Sequence, residues 1–583
     1  MEPERIPERT VPGLFFRQAA RLGPRVLVRH HDGSRWREVT WARMRELVSG
    51  VAAGLVGEEV RPGDRVLLMS ENRVEWLVSD LAIMTAGAVT VPVYPSTSAH
   101  VAQQIADNSQ ARLAIVSGEA LAGRLRVERV VRMDRELGEW AQSSPSAESL
   151  AELEARAARL DPEDLATVVY TSGTTGEPKG VMLAQRSLVD MARSCLQVFD
   201  IGEEDSALSF LPYAHVFERV NGIIVLLAAG GSAWLSRGTD RLVEDLRECQ
   251  PTVMVSVPRV YEKMHQRVLA QVGQASPLRQ RLFRWAVEQG RRRSRGQPAL
   301  LHPVADRLVL SRLRRLLTGG RLRFFVSGGA PLSREVEEFF WSLGVKIFNG
   351  WGMTETASGA TSNTERRHRF ETVGPPLPGV EVRIAEDGEV LVRSPGNMLG
   401  YFRNQAATAE ALRDGWVLTG DIGEVDEDGF LRLTDRKKDL IKTAGGKFVA
   451  PQPLEARLQQ EAVIERAVVL GDKRPYVVAL IVPDWDALRA AASVHGDPES
   501  LVDDERAHAV VQHRVDALNR ELGSWETIKY FKLLPRDFSE EAGELTPTLK
   551  VKRRAVQARY QEVIEEMYAR GARPAEAARG RTP

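Results

Sequence analysis

The chain has 583 residues, too many for a single hydrophobic core, so more than one domain is expected. Apolar residues make up 43% and charged residues 27%, as in ordinary soluble globular proteins. Lys plus Arg (79) equals Asp plus Glu (79), so no global attraction to nucleic acid is implied, and two cysteines, Cys195 and Cys249, exclude a disulfide framework.

The opening stretch, MEPERIPERTVPGLFF, lacks an apolar core followed by a cleavage site and does not read as a signal peptide. WARMRELVSGVAAGL has helical spacing, and RPGDRVLLMSEN reads as a turn, a buried strand and a loop. A helix is expected near Trp76 to Gly87, then the strands AVTVPVY and RLAIVSG. DLATVVY is another buried strand, and it runs into TSGTTGEPKG, Thr171 to Gly180. PTVMVSVP, LRFFVSGG and VKIFNGWG are short strands ending in glycine or proline. Helices alternating with continuously apolar strands argue for α/β sheets covered on both faces, with ligands at the strand ends. From about Pro375 the texture alternates, with Asp-Gly at a turn, and implies antiparallel hairpins. Near DRKKDLIKTAGGKF a fresh unit begins, with the strands AVVLG and YVVALIVP. The longest apolar runs are too short for a membrane span, so the cytoplasm is the expected location.

TSGTTGEPKG is no Walker loop. Lys179 is followed by glycine, and Pro178 removes a backbone donor. It reads as a loop between strands, whose glycines and hydroxyls suit a phosphate. The stretch resembles the phosphate-binding signature of the adenylate-forming superfamily, which includes acyl-CoA synthetases, luciferases and peptide-synthetase adenylation domains. SGGAPLS (Ser327–Ser333), NGWGMTET (Asn349–Thr356), GWVLTGDIG (Gly415–Gly423), DRKKDLIKTAGGKFVAP (Asp435–Pro451) and LTPTLKVKRR (Leu545–Arg554) follow in the family's order. LPYAHVFERV and VPVYPSTS resemble the long-chain fatty acyl-CoA synthetase branch.

The resemblance implies an α/β fold. A large N-terminal domain of stacked α/β sheets with a small β-barrel-like part would span residues 1–435. A small mobile α+β C-terminal domain would span 436–570, and 571–583 would be a disordered tail. It also implies ligation of a long-chain fatty acid to coenzyme A through an acyl adenylate, with ATP and Mg²⁺. Thr171, Ser172, Gly173, Thr174, Thr175 and Lys179 would hold the β- and γ-phosphates. Thr354 would touch the α-phosphate and Glu355 would bind Mg²⁺. Gly328, Gly329 and Ala330 would wall the adenine slot, with Trp351 and Gly352 opposite. Trp351 stands where the family usually has tyrosine, so the stacking face is kept and the hydroxyl lost. Asp421 and Arg436 would hold the ribose. Lys550 would be the adenylation lysine, preceded by Leu549 in place of the usual glycine, with Lys552 as competitor. Lys438 would be the hinge, and Lys442, Gly445 and Gly446 would face coenzyme A. Tyr213, His215 and Phe217 would line the acyl pocket, with His215 also a catalytic candidate.

The partners implied are small molecules and no nucleic acid, and a homodimer is compatible. The helix PLRQRLFRWAVEQGRRRSRG places Leu278, Leu282, Phe283, Ala286 and Val287 on one face. It reads either as a peripheral contact with the inner membrane surface or as an ordinary helix with arginines toward water. A luciferase-type monooxygenase shares the first half-reaction, and the long-chain strings argue against it. A non-catalytic fatty-acid carrier would lack Lys179, Glu355, Asp421 or Lys550, and all four are present.

Overall fold

The computed structural model describes residues 6–142, 147–172, 178–539, 542–546 and 551–577. The chain divides into two compact units. The first holds residues 1–419 and 424–432, the second 420–423 and 433–583. The expected boundary between Asp435 and Arg436 falls just inside the second unit.

The first unit contains two large sheets. In one, the spatial order is Gly400–Tyr401, Pro178–Ala184, Leu165–Ser172, Val89–Val93, Arg65–Met69, Leu113–Val116 and Arg129–Arg132. The last five are parallel, and the first two add antiparallel at one edge. Arg65–Met69 is buried from Val66 onward because helices cover both faces, which is why its sequence is continuously apolar.

The other large sheet runs Thr361–Ser362, Lys346–Trp351, Phe324–Ser327, Val253–Ser256, Ser206–Ser209, Ser232–Leu235, Val26–His31 and Trp36–Thr40. Its inner six strands are parallel, so their carboxyl ends share one edge. Ser209, Ser256, Ser327 and Trp351 end four of those strands. A smaller antiparallel sheet includes the hairpin Glu381–Ile384 with Glu389–Arg393, turning at Asp387-Gly388 as the alternation predicts.

The second unit is built on three strands, Ile464–Leu470, Val477–Pro483 and Ile528–Leu533. Side chains alternate across it: Val469, Ala479 and Ile481 join one core, Val468, Val478 and Leu480 the other. The last described helix, Gln561–Ala577, continues into the stretch read as a tail.

One buried ion pair ties the first unit together. Arg219 takes both Asp80 oxygens, at 2.8 and 2.5 Å, and donates to Thr167 Oγ1 at 2.7 Å. Its guanidinium also lies 5.9 Å from the Trp76 ring. Both charged groups are buried, and removing one partner of such a pair costs about 3–5 kcal/mol, whereas an apolar replacement of both is close to neutral. Asp80→Ala should therefore lower the urea midpoint sharply, and Asp80→Leu combined with Arg219→Met should recover most of the loss.

Candidate active site

The signature stretch is flanked by two paired strands. Strands Leu165–Ser172 and Pro178–Ala184 pair antiparallel, with Thr171 opposite Lys179 and Ser172 opposite Pro178. Pro178 opens its strand, a position where its missing N–H is tolerated. Gly180 must be glycine, since a Cβ there would lie 2.6 Å from Val168 Cγ1 and 3.0 Å from Tyr170 Cζ. Gly173, Thr174 and Thr175, expected to touch phosphate, lie outside the described residues.

Lys179 is half-buried, and its Nζ stands 5.3 Å from the centre of the Tyr401 ring. Tyr401 reaches this place because Gly400–Tyr401 pairs with Pro178–Ala184. Its hydroxyl donates to Glu355 Oε1 at 2.8 Å. Lys179, Tyr401 and Glu355 thus form one chain of contacts across 222 residues of sequence (179 to 401). Tyr401 was not predicted: nothing in GNMLGYF separates it from an ordinary strand tyrosine.

Glu355 is buried in the short helical turn Thr354–Thr356, which follows the strand Lys346–Trp351. Hydrogen bonds from Met398 N to Glu355 O, from Met353 N to Thr356 Oγ1 and from Thr356 N to Met353 O help hold the turn. Gly352 is forced as well, because a Cβ there would overlap Ser358 O at 1.6 Å. No cluster of three metal-ligating side chains exists among the described residues. A single carboxylate with one oxygen fixed by Tyr401 fits Mg²⁺, which keeps water and substrate oxygens as most of its ligands.

Gly328, Gly329 and Ala330 leave the carboxyl end of Phe324–Ser327, beside the strand that leads to Trp351. Gly328 is buried while Gly329 and Ala330 are exposed. A Cβ on Gly328 would stand 3.2 Å from Phe217 Cζ, so the expected adenine wall and the expected acyl wall touch. Phe217 begins π-helical turns over Phe217–Ile224, an irregularity common at functional sites. His215 is half-buried, and its Nδ1 accepts from Phe217 N at 3.1 Å. Tyr213 is buried with its ring 5.2 Å from Trp76 and its hydroxyl 3.2 Å from Ser209 Oγ.

The same turns bury Glu218, which sequence reasoning passed over. Ser209 Oγ donates to its Oε1, and its Oε2 has no hydrogen-bond partner among the described residues. Burial pushes its carboxyl up to about 8.

The second unit carries the remaining residues. Arg436 Nε lies 3.0 Å from Asp421 Oδ1, so the two ribose candidates are paired. Lys438 is exposed. Lys442 belongs to the hairpin Ile441–Lys442 with Phe448–Val449, and its Nζ stands 5.5 Å from the Phe448 ring. Gly446 has φ of 76°, which favours glycine although a Cβ there would meet open space, and a Cβ on Gly445 would lie in ordinary contact, 4.0 Å from Thr443 Oγ1. Lys550 lies outside the described residues, but its flanks are pinned. Leu545 bridges Val551, and Lys552 N donates to the backbone oxygen of buried Glu544 at 2.8 Å. Arg553 pairs with Glu455 and donates to Val469 O at 2.7 Å.

A family model described as AMP-binding enzyme matches residues 15–402, and one described as AMP-binding enzyme C-terminal domain matches 438–572. The long-chain-fatty-acid–CoA ligase FadD15 of Mycobacterium tuberculosis is 39% identical over 570 residues, 91% of this chain and 92% of that protein. The peroxisomal long chain acyl-CoA synthetase 6 of Arabidopsis thaliana is 31% identical over 595 residues, 95% of this chain and 84% of that one. The solved structure of anthranilate CoA ligase AuaEII with anthranoyl-AMP shares the fold, with a TM-score of 0.74 at 20% identity, covering 96% of this chain and 98% of that chain.

Two outcomes are expected. Tyr401→Phe keeps the ring beside Lys179 but frees Glu355. A hydrogen bond to a charged group contributes about 1.5–3 kcal/mol, so Mg·ATP should bind about tenfold more weakly, as titration calorimetry would read. Glu218 holds its proton when folded up to about pH 8, but only to about 4.5 when unfolded. The folded chain therefore binds the extra proton between those values, and stability should fall as pH rises through that window, then level off. Glu218→Gln should flatten this fall, of at most a few kcal/mol, in urea midpoints measured from pH 5 to 8.5.

Proposed function

The chain belongs to the AMP-binding enzyme family, and we propose that it ligates a long-chain fatty acid to coenzyme A through an acyl adenylate. The observation that carries this reading is the 39% identity to a long-chain-fatty-acid–CoA ligase along nine-tenths of both chains.

The chemistry must join two anions. A carboxylate oxygen attacks the α-phosphorus of ATP, the bond to the β-phosphate breaks, and pyrophosphate leaves. The coenzyme A sulfur then attacks the acyl carbon, and AMP leaves with the bonding electrons. Oriented positive charge must offset the repulsion in the first half. Lys179 supplies a point charge at the base of the hairpin, where strand pairing fixes its backbone. Thr171 and the loop donors would follow the β- and γ-phosphates out. Glu355 would hold Mg²⁺, which supplies charge neutralisation at the phosphates when bound. Tyr401 orients Glu355, and Thr354 adds a hydroxyl toward the α-phosphate.

Trp351 and the Gly328–Ala330 turn would sandwich adenine, and Phe217, touching Gly328, would close the acyl side. In the second unit, Arg436 holds Asp421 ready to accept from both ribose hydroxyls. Lys550 would bridge the acyl carboxylate and the α-phosphate. Its assignment over Lys552 is supported by the flanks, since the Lys552 backbone is tied to Glu544 and opens the helix Arg553–Arg559. The exposed hairpin with Lys442, Gly445 and Gly446 would face the pantetheine arm in the second half.

Pyrophosphate release across acids of increasing chain length, with and without coenzyme A, tests the reading. Activity should peak on long chains and require coenzyme A for turnover. A peak on short or aromatic acids would sink the substrate assignment. Lys550→Ala should slow adenylation by about 10²-fold or more while sparing thioester formation from supplied acyl adenylate. The same phenotype in Lys552→Ala would move the role there.

A further inference from the structure

Glu218 and Arg219 are neighbours in the π-helical turns Phe217–Ile224, and they reach to different sheets. Arg219 ties the turns to Asp80 and to Thr167, which belongs to the sheet that carries the signature stretch. Glu218 ties them to the other large sheet. Its Oε1 accepts from Ser209 Oγ, and Ser209 ends the strand Ser206–Ser209. That strand pairs with Val253–Ser256, which pairs with Phe324–Ser327, and Gly328 leaves the last of these. Phe217, one residue before Glu218, meets Gly328. The turn that carries Phe217 is thus held to the phosphate-loop sheet by one side chain and to the adenine-wall sheet by its neighbour.

The local geometry is made for a carboxyl group. Gly222 leaves it room on the next turn, where a Cβ would stand 2.7 Å from Oε1 and 3.2 Å from Oε2. Ser209 Oγ also lies 3.2 Å from the Tyr213 hydroxyl, so Tyr213, Ser209 and Glu218 form one buried chain. No hydrogen-bond partner reaches Oε2 among the described residues, so the acid proton resides there.

The charges around the turn are spent elsewhere. Strands Ser206–Ser209 and Val253–Ser256, which pack on it, bring no charged side chain. The helix Gln185–Val198 brings Arg186, taken by Glu163, and Arg193 with Asp190, which take each other. Arg219 and Asp80 are likewise paired, and His215 Nδ1 accepts from Phe217 N. Tyr213 is kept neutral by its own burial. Burial alone therefore decides the state of Glu218, and it stays neutral up to about pH 8.

We infer that Glu218, as a neutral acid, is a positioning residue for adenylation: through Ser209 it holds the turn that carries Phe217 against the adenine wall at Gly328. Ionised, the carboxylate would face Gly222 with a bare oxygen and no counter-charge, which is costly in a buried place. Moving the turn toward water relieves that cost and takes Phe217 with it. The effect on fatty acid rests on the ligase reading. The effect on nucleotide rests on the fold alone.

Fatty-acid-dependent exchange of pyrophosphate into ATP, followed from pH 6.5 to 9.5, tests the inference. In the natural chain kcat/KM for fatty acid should fall about tenfold by pH 9, one unit above the titration. Glu218→Gln keeps a neutral group of the same shape. It should match the natural chain within about twofold at pH 7 and hold that value to pH 9. Glu218→Ala and Ser209→Ala should raise KM for fatty acid about tenfold at pH 7 with little change in kcat, as lost uniform binding does. Urea midpoints identify any variant that fails to fold, and the glutamine variant remains informative if the alanine variants do. Titration calorimetry with ATP, without fatty acid, should show affinity falling over the same pH range in the natural chain and not in Glu218→Gln. The same alkaline fall in both chains would overturn the inference, as would an unchanged KM in folded Glu218→Ala. If no fatty acid supports exchange, the ligase reading fails, and the ATP titrations decide the positioning role by themselves.

Discussion

Arg219 is the point at which three elements of the first unit meet. It leaves the π-helical turns that carry Phe217, crosses to Asp80 on the helix Val74–Thr85, and reaches Thr167 on the first strand of the signature hairpin. Thr167 in turn donates to Thr90 O on the neighbouring parallel strand. A guanidinium presents donors in a rigid plane, so these partners fix its orientation as well as its position. The consequence is a fixed relation between the wall that carries Phe217 and the strand that carries the phosphate loop. Chemistry between two anions tolerates little error in that relation, since effective molarity falls steeply with misplacement of the reacting atoms.

The buried carboxylates divide by what they are given. Asp80 is met at both oxygens by Arg219, Glu455 by Arg553 and by Val469 N, and both serve as anchors. Glu355 receives a tyrosine hydroxyl and is left able to accept a cation. Glu218 receives only a serine hydroxyl, and its second oxygen is unpaired among the described residues. Burial without a cation selects the neutral acid, which can itself donate. A neutral Glu218 suits its surroundings, where Gly222 approaches so closely that a Cβ would lie 2.7 Å from Oε1. An ionised group there would have neither room for water nor a counter-charge.

Much of this was legible in the sequence, for stated physical reasons. Continuous apolar strands gave away sheets covered on both faces, and the proline before Lys179 gave away a hairpin in place of a helix. Gly352 and Gly180 stand inside motifs because backbone or ring approaches forbid a Cβ. What was not legible comes from distant pairing. Tyr401 joins Lys179 only because a two-residue strand adds to the sheet edge, and Asp80 meets Arg219 across 139 residues. Glu455 likewise looks like a surface charge until the fold buries it against half-buried Arg553. Single-chain periodicity reports which face a residue occupies but not what lies opposite.

Net charge illustrates the same limit from another side. A total of zero argued against attraction to anionic surfaces, yet it averages an arginine-rich layer with an acidic remainder. At about 0.15 M salt the Debye length is roughly 8 Å, so a partner at the surface responds to the nearest charges and not to the sum. The relevant quantity is the charge within a Debye length of the contact. In the layer after Pro277 that charge is positive and interleaved with exposed leucines. Exposed leucine has a cost in water that an ordinary solvated basic face would not carry. An ordinary helix with arginines toward water explains Pro277–Ser294, whose own apolar side is spent on the core. It does not explain Leu300 and Leu301, which follow Pro298 by two and three residues at the head of the next helix and are 92% and 53% exposed.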